Sequence, residues 1–145
     1  NEVCVLPSGH PLAEKSRLTP QDFSGLNFIS LSATDSYRHL LDTLFTEQQV
    51  SRRLVMETHS AASVCSMVRE GAGVSIVNPL TALDYSAKNS ENGVVLREFS
   101  IAVPFTVSLI RPLHRPASAL VSTFIEHSHQ QAQRFAGRLE AALMR

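Results

Sequence analysis

Short apolar runs separated by stretches of helical period fill most of the chain. Val3–Leu6 (VCVL), Asn27–Leu31 (NFISL), Leu54–Thr58 (LVMET) and Val74–Val77 (VSIV) have the length and composition of buried strands, and each is closed by polar or turn residues. Between them, Tyr37–Val50 places Leu40, Leu41, Leu44 and Phe45 on one helical face, with His39, Asp42 and Thr43 beside it. Val64, Met67 and Val68, at i, i+3 and i+4, predict a second helix, which Ser60 can cap and Gly71 and Gly73 stop. Strand, helix, strand over Leu54–Val77 is a βαβ unit with a parallel pair. The expected class is therefore α/β, a mostly parallel sheet flanked by helices.

Smaller signals complete the pattern. His10-Pro11-Leu12-Ala13 opens a helical turn, and Thr19 caps another that Pro20 begins. After Asn78 the chain predicts a helical turn over Leu80–Ala87 and a polar loop from Lys88 to Gly93. Two strands, Val94–Ile101 and Pro104–Pro112, are expected as antiparallel additions. A basic turn over Arg111–Pro116 follows, then a helix over Ala117–Arg134 with Leu120, Phe124 and Ile125 on its apolar side. The tail from Phe135 to Arg145 keeps a helical tendency.

In open α/β sheets, ligands bind outside the carboxyl ends of parallel strands. Two polar turns fall there. Ser32, Thr34 and Asp35 follow the second strand, and Thr58, His59 and Ser60 follow the third, with Asn78 at the next strand end. Hydroxyls and free N–H groups at helix starts suit a carboxylate, and Asp35 suits an ammonium. Ser32, Thr34, Asp35, Thr58 and Ser60 equally serve as helix caps, and His59 as a solvated loop residue.

Composition narrows the classes. The chain has 145 residues and a formal net charge of zero, so it carries no basic footprint for nucleic acid. No apolar run approaches a membrane span. Cys4 and Cys65 lie in apolar segments and read as buried reduced thiols. His127 and His129 point to different helix faces, and HExxH, CxxC and GxSxG are absent from the sequence. No metal, cofactor or enzymatic activity is expected. Asn1 leads straight into an apolar strand, as in the interior of a longer protein.

The segments VCVLPSGHPLA, VCSMVREGAGVSIVNPLTAL and IRPLHRPASALVSTFIEH resemble the second regulatory subdomain and C-terminal helix of LysR-type transcriptional regulators. The likeness spans almost the whole chain. It implies a type II periplasmic-binding-protein-like fold in which two α/β subdomains enclose a small effector. It further implies that residues 1–104 are the second subdomain. Residues 105–145 would be a return strand and helix of the first subdomain, which is otherwise missing, as is the DNA-binding domain. ETHSAASVCSMV, VNPLTALDY and FSIAVPFTVSLIRPLHRP are nearest to the branch controlling diaminopimelate decarboxylase, which implies lysine biosynthesis as the pathway and diaminopimelate as the effector. The resemblance also implies a cytoplasmic homo-oligomer, dimer or tetramer, reaching DNA through the absent domain, with Tyr37, His39, Asp42, Thr43, Arg53 and Glu57 bordering the dimer contact. A solute-binding transport protein of the same fold is the competing implication. Without the first subdomain, Leu109, Ile110, Leu120, Phe124 and Ile125 are expected to form an exposed or self-associating patch.

Overall fold

The computed structural model describes residues 1–86, 93–112, 114 and 118–144. The chain follows the order β1 (Val3–Leu6), β2 (Arg17–Leu18), β3 (Asn27–Leu31), α1 (Ser36–Glu47), β4 (Arg53–Thr58), α2 (Ala61–Arg69), β5 (Ser75–Val77), α3 (Pro79–Asp84), β6 (Val95–Phe99) and α4 (Ala119–Leu143). β2, β6, β1 and β5 form one ladder, and β3 pairs with β4 in another. The ladders join where Phe28 bridges Val74, with Ile29 N–H donating to Val74 C=O at 3.0 Å and Val74 N–H to Asn27 C=O at 2.9 Å.

β3 and β4 are parallel, as are β2 and β6, whereas β1 is antiparallel to both of its neighbours, β5 and β6. Only β1 therefore runs against the common strand direction. The βαβ expectation needs one adjustment: β4 and β5 are parallel but not adjacent, because β3 lies between them. β6, expected as an antiparallel addition, is antiparallel only to β1 and parallel to β2, because the reversed strand is β1.

The two faces of the sheet are covered separately. Val64, Cys65 and Val68 of α2 and Ala82 and Leu83 of α3 pack with Val3, Val5, Ile29, Val77 and Leu96, and Phe135, Leu139, Ala142 and Leu143 of α4 join them. On the other face Leu41 and Phe45 of α1 meet Cys4, Leu6, Phe23, Phe28 and Phe99. Phe23, Phe28 and Phe45 meet edge to face at 5.6–6.1 Å. Cys4 and Cys65 are buried free thiols, and burial pushes the Cys65 thiol up to about 12.

Several expected elements shift. α1 stops at Glu47 rather than Val50, because Gln49 takes a left-handed φ of 55°. Leu40 lies off the buried face and is exposed. Residues 104–112 form no strand: they leave the sheet with Val107 and Ile110 exposed, since no neighbouring strand offers them a ladder. α4 starts at Ala119 and continues to Leu143, so the expected tail is its packed end, while Leu120 and Phe124 are 80% and 63% exposed. The loop over 88–92, parts of the basic turn over 111–116 and the helix start at 117 lie outside the described residues.

The motif positions are explained by local chemistry. His10 Nδ1 accepts from Leu12 N–H at 3.2 Å, capping the turn that Pro11 opens. Thr19 and Asp22 form a capping box, with Thr19 N–H donating to Asp22 at 2.8 Å. Gly71, at φ 80°, terminates α2. Gly73 is needed for another reason than the helix stop: a Cβ there would sit 2.6 Å from Asn27 C=O, where β3 and the start of β5 meet. Gly73→Ala should therefore lower the unfolding free energy by about 1–3 kcal/mol, the cost of overpacking against backbone that cannot yield. Urea denaturation checks this.

Candidate functional site

The two polar turns are held together by the backbone. Ser32 N–H donates to Thr58 C=O at 2.9 Å, so the β3–α1 and β4–α2 turns share one corner of the sheet. Ser32 Oγ lies 3.1 Å from Thr34 Oγ1 and accepts from Thr34 N–H at 3.4 Å. Thr58 Oγ1 accepts from Ser60 N–H, and Ser60 Oγ from Ser63 N–H, both at 3.4 Å. The Thr58 and Ser60 hydroxyls thus act as acceptors inside their turn, which leaves their own O–H groups to be donated to a ligand, whereas one hydroxyl of the Ser32–Thr34 pair donates to the other and only the remaining O–H is free.

Asp35 is engaged more firmly. Its Oδ1 accepts from Tyr37 N–H at 2.8 Å and Arg38 N–H at 3.4 Å, the work of an N-cap. Asn78 Oδ1 accepts from Thr81 N–H at 2.9 Å and caps α3. His59 is exposed beside these turns. The structure thus brings together Ser32, Thr34, Asp35, Thr58 and Ser60, with Asn78 one strand away at the end of β5.

Sequence reading missed Arg38. Its guanidinium donates to Leu31 C=O at 2.9 Å, to Glu57 at 3.0 Å and to Asp42 at 2.6 Å, while Glu57 also accepts from Ala33 N–H at 3.2 Å. Arg38 therefore locks the end of β3, the turn after it and β4 into one piece. The signal lay in the spacing Asp35, Arg38, Asp42, which stacks charges along one side of α1. The Arg38 hydrogen bond holds the Glu57 carboxyl below its usual range. Burial raises the Asp42 carboxyl, but Arg38 and Arg52 outweigh it and the net direction is down.

Arg52 sits over the Phe28 and Phe45 rings at 4.5 and 4.0 Å and reaches Asp42 at 2.5 Å. Of the residues expected at a dimer contact, Asp42 and Glu57 are thus tied up within the chain, and Arg53 donates to Asn27 at 2.6 Å. Tyr37 stacks against Phe105, at 5.9 Å between ring centres, whereas His39 and Thr43 are exposed. The apolar centre of that surface is formed by Leu40, Leu54, Val55 and Met56, all exposed. Among the described residues, no group of three metal-ligating side chains converges, and no helix is long and apolar enough to cross a membrane.

Comparison with known proteins agrees with this architecture. Residues 2–133 match the model of the LysR substrate binding domain. The chain is 66% identical over 143 residues to the transcriptional activator protein LysR of Escherichia coli, covering 99% of this chain and 45% of that protein. It is 35% identical over 122 residues to the regulatory protein NocR of Agrobacterium tumefaciens, covering 84% of this chain and 39% of that one. The chain thus spans less than half the length of these relatives. Among solved structures, the Synechocystis CcmR regulatory domain in complex with 2-PG superposes with a TM-score of 0.62 at 17% identity, over 87% of this chain and 60% of that one. The effector binding domain of QuiR in complex with shikimate gives 0.57 at 20% identity, over 98% and 61%.

Arg38→Ala should lower stability by about 1–3 kcal/mol, the cost of leaving its acceptors unpaired, at the modest end because Asp42 and Glu57 are partly solvated. Arg38→Lys should restore only part of this, since an ammonium lacks the planar fork. The Asp42 carboxyl has a lowered folded-state pKa, so its share of stability is present above the ordinary aspartate value and lost as pH falls through the lowered one. The gap between wild type and Arg38→Ala should accordingly narrow below about pH 4, as read by denaturation at several pH values.

Proposed function

Because the chain belongs to the LysR substrate-binding domain family, we propose that it is the effector-sensing part of a LysR-type transcriptional regulator that controls lysine biosynthesis in response to diaminopimelate. The observation that carries the site is the pair of hydroxyl-rich turns joined by the Ser32–Thr58 hydrogen bond at the carboxyl edge of β3 and β4. The identity of 66% to an activator named LysR supports the pathway.

In this reading residues 1–104 form one regulatory subdomain, and 105–145 contribute to a second that closes the cleft. The departure of residues 104–112 from the sheet supports that division. The effector's carboxylates are held by donated hydroxyls of Thr58 and Ser60, by the one O–H left free in the Ser32–Thr34 pair, and by the positive end of the helix dipoles. Closure around the effector shifts the balance between two arrangements of the subdomains. The protein works in the cytoplasm as a homo-oligomer, reaches DNA through a separate domain and catalyses no reaction. Thr58→Ala and Ser60→Ala in the complete regulator should each weaken diaminopimelate binding by about 1.5–3 kcal/mol, the worth of a hydrogen bond to a charged group. Thr58→Ala is the cleaner test, because Ser60 also caps α2. Wild-type affinity in both, by calorimetry, would reduce these hydroxyls to caps.

The oligomer contact is the exposed edge of β4 with the outer side of α1. Leu40, Leu54 and Met56 are 53%, 47% and 45% exposed there, and an unpaired edge strand invites pairing with another chain. Tyr37, His39, Asp42, Thr43, Arg53 and Glu57 border this patch. Leu54→Asp combined with Arg53→Glu should reduce the oligomer to a smaller species in light scattering. Glu57 is a poor choice for this test, because its change would also break the Arg38 lock.

A further inference from the structure

Glu2 is a charged residue in an apolar place. It is 3% exposed, its Oε2 is fully buried, and that oxygen accepts no hydrogen bond. Its backbone N–H is satisfied by Val103 C=O at 2.8 Å, so the side chain alone is unprovided for. The registers explain where it lies. Val3 pairs with Val77, and Phe28 with Val74. Carried to the strand ends, these registers put Ser32, Asn78 and Glu2 in one row across β3, β5 and β1. Alternation along β1 places Glu2 on the face of Cys4, the face that α1 covers. Ser30, on the matching face of β3, is 2% exposed, and its Oγ also lacks a partner. Glu2 also borders a cleft of about 360 Å³ whose other walls include Arg17, Glu98, Ser100 and Leu139.

A buried carboxylate without a partner is destabilising, and an apolar side chain would fill the place at lower cost. Burial, and then the charge of Asp35, push the Glu2 carboxyl up to about 7. Asp35 itself is committed to capping α1, so it is a weak candidate for a ligand's cation. Beside Glu2 the other charged groups are Arg17 of β2 and Glu98 of β6, which pair with each other at 2.6 Å.

We propose that Glu2 is a specificity-determining residue of the effector site, its carboxylate receiving an ammonium group of an amino-acid effector whose carboxylate is held by the hydroxyls of the two turns. This rests on the reading of those turns as the effector site. It divides the labour there: the helix starts and hydroxyls of Ser32, Thr34, Thr58 and Ser60 take the anion, and Glu2 takes the cation. An arriving ammonium favours the ionised carboxylate, so binding near neutral pH releases part of a proton from Glu2.

The test is calorimetry on the complete regulator with meso-diaminopimelate, L-lysine and pimelate, the last having the carbon chain and carboxylates of diaminopimelate without its amines. Glu2→Gln should weaken diaminopimelate by about tenfold or more, leave pimelate unchanged and keep or raise thermal stability. Glu2→Asp should fall between. Proton release, read from binding heats in two buffers, should vanish in Glu2→Gln. Wild-type affinity for diaminopimelate in Glu2→Gln, or an equal loss for pimelate, would overturn the assignment while leaving the hydroxyl site standing. Glu2-dependent binding of lysine but not diaminopimelate would uphold Glu2 and overturn diaminopimelate as the effector. Wild-type protein that binds neither amine would overturn both.

Discussion

The sheet depends on β1 finding a partner on each side. Its four residues are buried, and their peptide groups lie where no water can satisfy them, so every N–H and C=O must be paired within the protein. β5 and β6, both far along the chain, supply those bonds in antiparallel register. Once they are in place, Val74 ties β5 to β3, and β3 carries β4. The same pairing turns β1 against the other strands and thereby brings its first residues to their carboxyl edge. Glu2 thus falls in the same row as the first residues after β3 and β5.

The two faces of the sheet do different work. The face with α2, α3 and the end of α4 is aliphatic and closes the core. The face with α1 is aromatic and carries the charge network. Arg52 lies flat over Phe28 and Phe45, an arrangement that exploits the weak hydration and planar shape of guanidinium. Asp42 joins it to Arg38, and Arg38 holds the end of β3 against Glu57 of β4. The hydroxyl-rich turns and the exposed edge of β4 are consequently joined by direct hydrogen bonds.

The chain beyond β6 behaves differently. Residues 104–112 lie outside the ladder with apolar side chains in solvent, and α4 is half committed: Phe135, Leu139, Ala142 and Leu143 pack on the core, while Leu120 and Phe124 do not. An apolar surface of this kind is uncommon on an isolated domain. It fits the proposed role of this segment as part of a second subdomain.

Apolar runs, helical periodicity and punctuation were enough to place β1, β3, α1 and α2, because strands buried on both faces read as continuous apolar runs, helices repeat every 3.6 residues, and Asp35 and Ser60 each begin a helix at the residue that can accept its free N–H groups. The polar turns were legible for the same reason. What sequence could not supply was neighbourhood. That β3 inserts between β4 and β5, that Gly73 is spared a side chain by the Asn27 carbonyl, and that Pro104–Pro112 finds no ladder all depend on strands brought together from distant positions. The extra residue that ends α1 early was hidden because Gln49 adopts a conformation usually left to glycine. The pattern of the sequence did not single out Arg38 or Glu2. Only the tertiary structure buries them, because burial of a charge is decided by what packs over it and not by the residues on either side.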